Sequence, residues 1–275
     1  MSFYTSLLGL KGAQTDLSVI SNNLANVGTT GFKKSRTQFI DLFAASPSQS
    51  ASTQAGQGAC VNAVVQKFTQ GTLEATDNPL DLAIAGDGFF VTRSNTPSGA
   101  VTYTRNGAFQ VNADRQVVDT IGSKLQLLPV DANGELTSAT LESIKDFVLP
   151  SRPSQGPSVP LANVSIAKDG LVTATFADGS SELLGKVAMA SFTTQEGLRA
   201  VGNSHWQSTG DSSAPTIGSA TTGPLGSIRS GSLERANVDV TEELVALISA
   251  QRNFQANAKA IETASNMTQA IVSIR

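Results

Sequence analysis

Apolar and small residues at Leu10, Ala13, Leu17, Ile20, Leu24 and Val27 recur at alternating spacings of three and four. That alternation is the heptad signature of a helix burying one narrow seam, and it predicts a helix from Ser6 to Val27. Its stop signals follow at once. Asn22, Asn23 and Asn26 read as helix-end and turn residues, Gly28 is placed to take a left-handed conformation past the last turn, and Gly31 interrupts any continuation. At the other end Val240, Leu244, Leu247, Gln251, Phe254, Ala258, Ile261, Ser265, Thr268 and Val272 keep the same alternation over 33 residues. Asp239 followed by Glu242 supplies a capping-box-like start to this second helix. The stripe is thin, because Gln251, Ser265 and Thr268 sit on it. An isolated helix of this composition is not stable in water, so each terminal helix needs a partner.

Between the helices the period changes. Ala44 to Gly58 is Ser, Gln, Ala and Gly without periodicity and reads as an extended connector or loop. From Gly71 onward short β-type runs (80–85, 89–92, 101–104, 108–112, 124–130, 172–176, 187–192) alternate with Asp-Gly and Asn-Gly turn signals. Many short strands with such turns predict an antiparallel β domain. The expected fold class is therefore α+β. Residues 1–30 and 238–275 pair as a discontinuous helical coiled coil, 31–70 form a connector, and 71–237 form a β-rich domain. An under-hydrophobic stripe is marginal within one chain and gains burial when many copies pack side by side, so assembly is expected to be coupled to folding.

Composition narrows the partners. Charged residues make up 15% and aromatics 5%, and the net charge is −3, so no basic stripe exists for phosphate neutralisation and no nucleic acid is expected. No apolar run approaches the ~20 residues that span a bilayer, so no membrane insertion is expected. The N-terminus lacks the features of a cleaved Sec signal. A single cysteine, Cys60, excludes an internal disulfide.

Candidate chemistry is weak everywhere. His205 beside Trp206 has no second His nearby and reads as structural. Gly86-Asp87-Gly88 lacks the third glycine of a dinucleotide loop, and Gly179 to Gly185-Lys186-Val187 misses the phosphate-loop spacing. Asp77, Asp81 and Asp87 read as turn residues rather than an acid pair or a calcium site. The residues predict no enzyme, no metal and no cofactor.

Three blocks carry a family likeness. Ser21-Asn22-Asn23-Leu24-Ala25-Asn26-Val27-Gly28-Thr29-Thr30-Gly31-Phe32-Lys33 resembles the N-terminal signature of the flagellar rod and hook proteins. Asn78 to Ile84 with Gly86-Asp87-Gly88-Phe89-Phe90, followed by Tyr103-Thr104-Arg105-Asn106-Gly107, is similar to their central block, and Ala236 to Val245 with Ala250 to Phe254 to their C-terminal helix. The resemblance implies a subunit of a self-assembling helical tube, exported to the flagellum without a cleaved signal peptide. It implies partners in other copies of the chain, in the rod, hook-cap and hook-filament junction proteins, and in the flagellar export apparatus. Met1-Ser2-Phe3, Leu184 to Leu198 and Ala250-Gln251-Arg252-Asn253 read more like hook than rod. The segment from Asp131 to Leu161 is too short for the outer domain that hook proteins insert, which keeps a distal rod subunit as the alternative. The residues expected to carry assembly are Leu10, Leu17, Ile20 and Leu24 on the first helix and Leu244, Leu247, Phe254 and Ile261 on the second.

Overall fold

The computed structural model describes residues 2–43, 56–96, 99–151, 153 and 159–273. Its elements in chain order are α1 (Ser2–Ala25), β1 (Ser35–Phe43), β2 (Gly56–Gln66), β3 (Leu73–Ala75), β4 (Leu82–Ala85), β5 (Phe89–Arg93), β6 (Val101–Thr104), β7 (Gln110–Val111), β8 (Val117–Val118), β9 (Lys124–Leu128) and β10 (Lys145–Asp146). There follow β11 (Leu161–Ile166), β12 (Leu171–Phe176), β13 (Ser181–Val187), β14 (Met189–Ser191), β15 (Arg199–Gly202), β16 (His205–Gln207), β17 (Thr216–Gly218), β18 (Ser227–Ser230), β19 (Ser232–Glu234) and α2 (Val240–Ser273). Two terminal helices flank a central antiparallel β-rich region, the α+β class that the two hydrophobic periods predict.

Two compact units share the chain. One is built from Met1–Val27, Lys34–Lys67 and Val238–Arg275, the other from Gly28–Lys33 and Phe68–Asn237. In the first unit α1 packs against α2. Gly9 lies against Asn257 and Asn23 bonds Glu243, so the two contacts are fourteen residues apart on each helix and run in opposite directions. The pair is antiparallel and keeps one register over two heptads.

A second face of α1 is covered by the β1–β2 hairpin. A Cβ on Gly12 would sit 3.0 Å from the Phe39 ring, and one on Gly58 would sit 3.0 Å from Thr5, so small residues let the ribbon approach closely. The strands pair antiparallel from Ser35↔Gln66 to Phe43↔Gly56, with irregularities at Gln38/Phe39 and Asp41/Phe43. This ribbon lies within residues 31–70, the segment expected as a connector. Of the Ala44 to Gly58 stretch, Gly56 to Gly58 belong to β2 and 44–55 lie outside the described residues.

The second unit is organised around an antiparallel sheet in the order β11-β12-β13-β9-β5-β6-β16-β15, with β4–β18 and β3–β19 as separate ribbons. Its turns follow the glycine signals. Gly134, Gly170 and Gly179 have φ near 82°, and Asp131 accepts from the amides of Asn133 and Glu135 within its turn. Two apolar cores result. One gathers Leu82, Ile84, Phe90, Phe109, Leu125, Phe147, Val172 and Val187. The other gathers Phe89, Tyr103, Phe192 and Trp206, with Phe68 packed edge-on against both Phe89 and Trp206.

Candidate assembly site

The helix pair is where the apolar stripes meet, and its seam differs from the stripe read along the chain. On α1, Ala13 and Ile20 are buried, and Leu10, Leu17 and Leu24 are half-buried. On α2, Leu247, Phe254 and Ile261 are half-buried, whereas Leu244 is 42% exposed and Gln251, Ser265 and Thr268 face solvent. The positions alternating with Leu247, Phe254 and Ile261 are Glu243, Ala250, Asn257 and Ala264, of which Glu243 and Ala250 are buried. The seam is thus rotated by one residue from 244/251/258/265. Both frames share the same apolar heptad, and two members of the true one are polar. A hydrophobicity reading passes over Glu243 and Asn257; only their partners, Asn23 and Gly9, show that they belong inside.

Asn23 is the pivot of this unit. It is 1% exposed; its side-chain amide donates to Ser35 O at 2.9 Å and to Glu243 Oε2 at 3.2 Å, and its oxygen accepts from Ser35 N at 2.9 Å. One side chain thereby ties α1 to the start of β1 and to the first turn of α2. Lys34 adds an ion pair to Glu242 at 2.9 Å and lies 3.9 Å from Glu243. Asp239 accepts from the amides of Thr241 and Glu242, which satisfies two of the free donors at the start of α2.

The other helix-end residues divide. Asn26 closes α1 with bonds to Asn22 O from both its backbone and its side chain, and Asn22 itself is exposed. Gly28 does not take the left-handed conformation expected of it; Gly31 does, with φ 69°. The reason is close approach, since a Cβ at Gly31 would fall 2.5 Å from the Asn106 amide nitrogen.

In the second unit a buried ion cluster joins residues distant in sequence. Lys33 Nζ lies 2.7 Å from Glu234 Oε1 and donates to Thr69 O at 2.8 Å; Arg105 Nη1 lies 3.4 Å from Glu234 Oε2, and the Gly71 amide donates to Glu234 Oε1 at 2.8 Å. All three charged side chains are at most 1% exposed. Two cations therefore share one carboxylate. Burial holds both the Lys33 ammonium and the Arg105 guanidinium below their ordinary pKa, while Glu234 pulls in the opposite direction. Arg105 also lies over the Phe89 ring at 5.3 Å, and Gly31 N donates to Glu234 O. Lys33, Gly71 and Glu234 each stand a few residues from a point where the chain passes between units. No motif signalled this cluster, because its members are joined only by the fold.

His205 is buried, with Nδ1 2.8 Å from Asn203 O and Nε2 2.7 Å from Asp119 Oδ2. Asp81 accepts from Asn78 in a turn, and Cys60 is half-buried on β2. Among the described residues no group of three or more His, Cys, Asp or Glu side chains could hold a metal ion, and no helix is long and apolar enough to cross a membrane.

Paired terminal helices with a β-rich unit encoded between them in the sequence define an α+β class of architecture. Comparison with known proteins makes the class specific. Residues 3–33 match the family described as flagella basal body rod protein, 83–174 the flagellar hook protein FlgE/F/G D1 domain, and 229–274 the flagellar basal body rod FlgEFG protein C-terminal region. The chain is 30% identical to the flagellar basal-body rod protein FlgG of Borreliella burgdorferi over 278 residues, covering 97% of this chain and 95% of that one. It is 33% identical to FlgG of Buchnera aphidicola subsp. Acyrthosiphon pisum over 282 residues, covering 98% and 97%. To the flagellar hook protein FlgE of Escherichia coli it is 25% identical over 411 residues, covering all of both chains. The chain belongs to the flagellar basal-body rod and hook family, whose members are structural components of the flagellum.

Proposed function

We propose that this chain is a rod-type subunit: one of many copies that stack into the drive shaft of the flagellar basal body. The observation that carries this reading is length. Alignments with the rod proteins span 278 and 282 positions, close to the 275 residues here. The hook alignment spans 411, which leaves at least 136 positions of that protein without a counterpart. The hook-like stretches in the sequence favoured a hook; the missing outer domain and the full-length rod relatives outweigh them.

In this reading residues 1–30 and 238–275 form the inner, axial part of the tube, 71–237 its outer wall, and 31–70 the link between them. The seam side chains Leu10, Leu17, Ile20, Leu24, Leu247, Phe254 and Ile261 hold the helix pair, and exposed positions such as Leu244 meet other copies. Its neighbours are further copies, adjoining rod and hook components and the export apparatus. Locating a tagged copy in isolated flagella tests the proposal. A straight segment inside the envelope rings is the expected result, and label in a curved segment outside the outer membrane would overturn it in favour of the hook.

A further inference from the structure

The β-rich unit pairs its first strands with its last. Among the described residues β3 pairs only with β19 and β4 only with β18; Leu73 meets Glu234 across 161 positions, and Ile84 meets Ile228 across 144. Several strands between them pair at short range, β5 with β6, β11 with β12 and β12 with β13, each pair as a hairpin. Ile84 and Ile228 are each 1% exposed and belong to the same core as Phe90, Phe109 and Val187. That core therefore lacks one wall until β18 arrives. The strand that follows, β19, carries Glu234. Its carboxylate pairs with Lys33 and Arg105, 201 and 129 positions upstream, and its backbone oxygen accepts from the Gly31 amide at 2.8 Å. Both cations are at most 1% exposed. Closing the unit without Glu234 would bury the two of them with Asp87 as an acidic neighbour of Arg105 alone. Water is the better environment for both until the carboxylate is in place.

We infer that docking of β18 and β19 gates the folding of the β-rich unit: the chain stays open until residues 227–234 are present and closes when the strand bearing Glu234 seats on β3. Local hairpins alone gain little, because an isolated two-stranded ribbon is marginal in water and the apolar core is incomplete. Closure across 144 and 161 positions costs chain entropy before any contact rewards it, so this step sets the rate. Glu234 makes the step selective, since the two cations can be buried only against it. A chain delivered from its N-terminus thus keeps the unit threadable until its last strand has emerged, which suits a subunit that leaves the cell before it assembles. That use rests on the axial-subunit reading above. The folding order rests on topology and charge alone.

The test is stopped-flow refolding and unfolding of the full chain in urea, read by the fluorescence of its single tryptophan, Trp206, which is buried within this unit. Ile228→Val on β18 and Ile166→Val on β11 each trim one buried side chain by a single carbon, a loss that leaves the chain folded. For Ile228→Val the loss is expected mainly in the folding rate, which falls ~2- to 10-fold. For Ile166→Val, in a local hairpin, folding is expected to stay within ~1.5-fold of wild type while unfolding speeds up by ~2- to 10-fold. Glu234→Gln, followed on the folding limb in dilute urea, is expected to fold on the order of 10-fold or more slowly. An Ile228→Val variant that folds at the wild-type rate and only unfolds faster would overturn the inference. So would an Ile166→Val variant slowed as much as Ile228→Val, or a Glu234→Gln variant that folds as fast as wild type. None of these readings depends on where the chain sits in the flagellum, so the rod proposal stands or falls separately.

Discussion

Replacing Glu234 by Gln isolates the energetics of the buried ion cluster. Glu234 is fully buried and accepts from Lys33 Nζ at 2.7 Å, from the Gly71 amide at 2.8 Å and from Arg105 at 3.4 Å. Gln keeps the shape and one acceptor oxygen but removes the carboxylate that both buried cations share, leaving Asp87 as an acidic neighbour of Arg105 alone. Removing one partner of a buried pair costs ~3–5 kcal/mol, because the other charge stays desolvated and uncompensated. Two cations depend on this carboxylate, so the upper end of that range is expected. Against a total stability of ~5–15 kcal/mol, such a loss brings the β-rich unit close to unfolding. Lys33→Met is the control. It removes the surplus cation, leaves Arg105 paired with Glu234 and keeps Asn237 Nδ2 donating to the Thr69 carbonyl at 3.1 Å, so a loss of at most ~1–3 kcal/mol is expected. Urea unfolding followed by the fluorescence of Trp206 reads both, since the single tryptophan packs on Phe89, the ring under Arg105. A Glu234→Gln variant within ~1 kcal/mol of wild type, or a Lys33→Met variant that is equally damaged, would refute the charge-balance reasoning.

The same cluster has a pH signature. Burial holds the Lys33 pKa below its ordinary 10.5, so the folded state disfavours the protonated lysine. That penalty is fully present below the folded pKa and disappears as pH rises from it toward 10.5. Wild type should therefore gain stability relative to Lys33→Met across that alkaline window, and a pH-independent difference would contradict the assignment. Asn23→Asp puts a carboxylate against Glu243 and loses two donated bonds; the helix pair should weaken by ~2 kcal/mol at neutral pH and partly recover as acid protonates one of the two carboxyls, read by helical circular dichroism. Ile20→Asp buries an unpaired charge in the seam where Ile20 is 6% exposed, and tube formation should be lost. Gly107→Ala would place a Cβ 1.6 Å from Leu82 O, so a loss of ~3 kcal/mol or more is expected in the Trp206 unfolding assay.

The amino-acid sequence alone determined the elements with a strong period. Alternating three and four spacings marked both terminal helices, and Asp-Gly and Asn-Gly turns marked the hairpins at Asp131–Gly134, Gly170 and Gly179, because these signals are local and each has a backbone cause. The α+β class followed from the change of period between ends and middle. Tertiary structure decided the rest. It chose between two heptad frames on α2 that share Leu247, Phe254 and Ile261, and it chose the one carrying Glu243 and Asn257, since Asn23 and Gly9 stand opposite to receive them. It made Asn23 a three-way tie rather than a turn residue, gave Gly31 rather than Gly28 the left-handed backbone, and brought Lys33, Arg105 and Glu234 together across as many as 201 positions. Polar residues pack inside only when a specific partner satisfies them, and which partner arrives is a property of the folded chain, invisible to any local pattern.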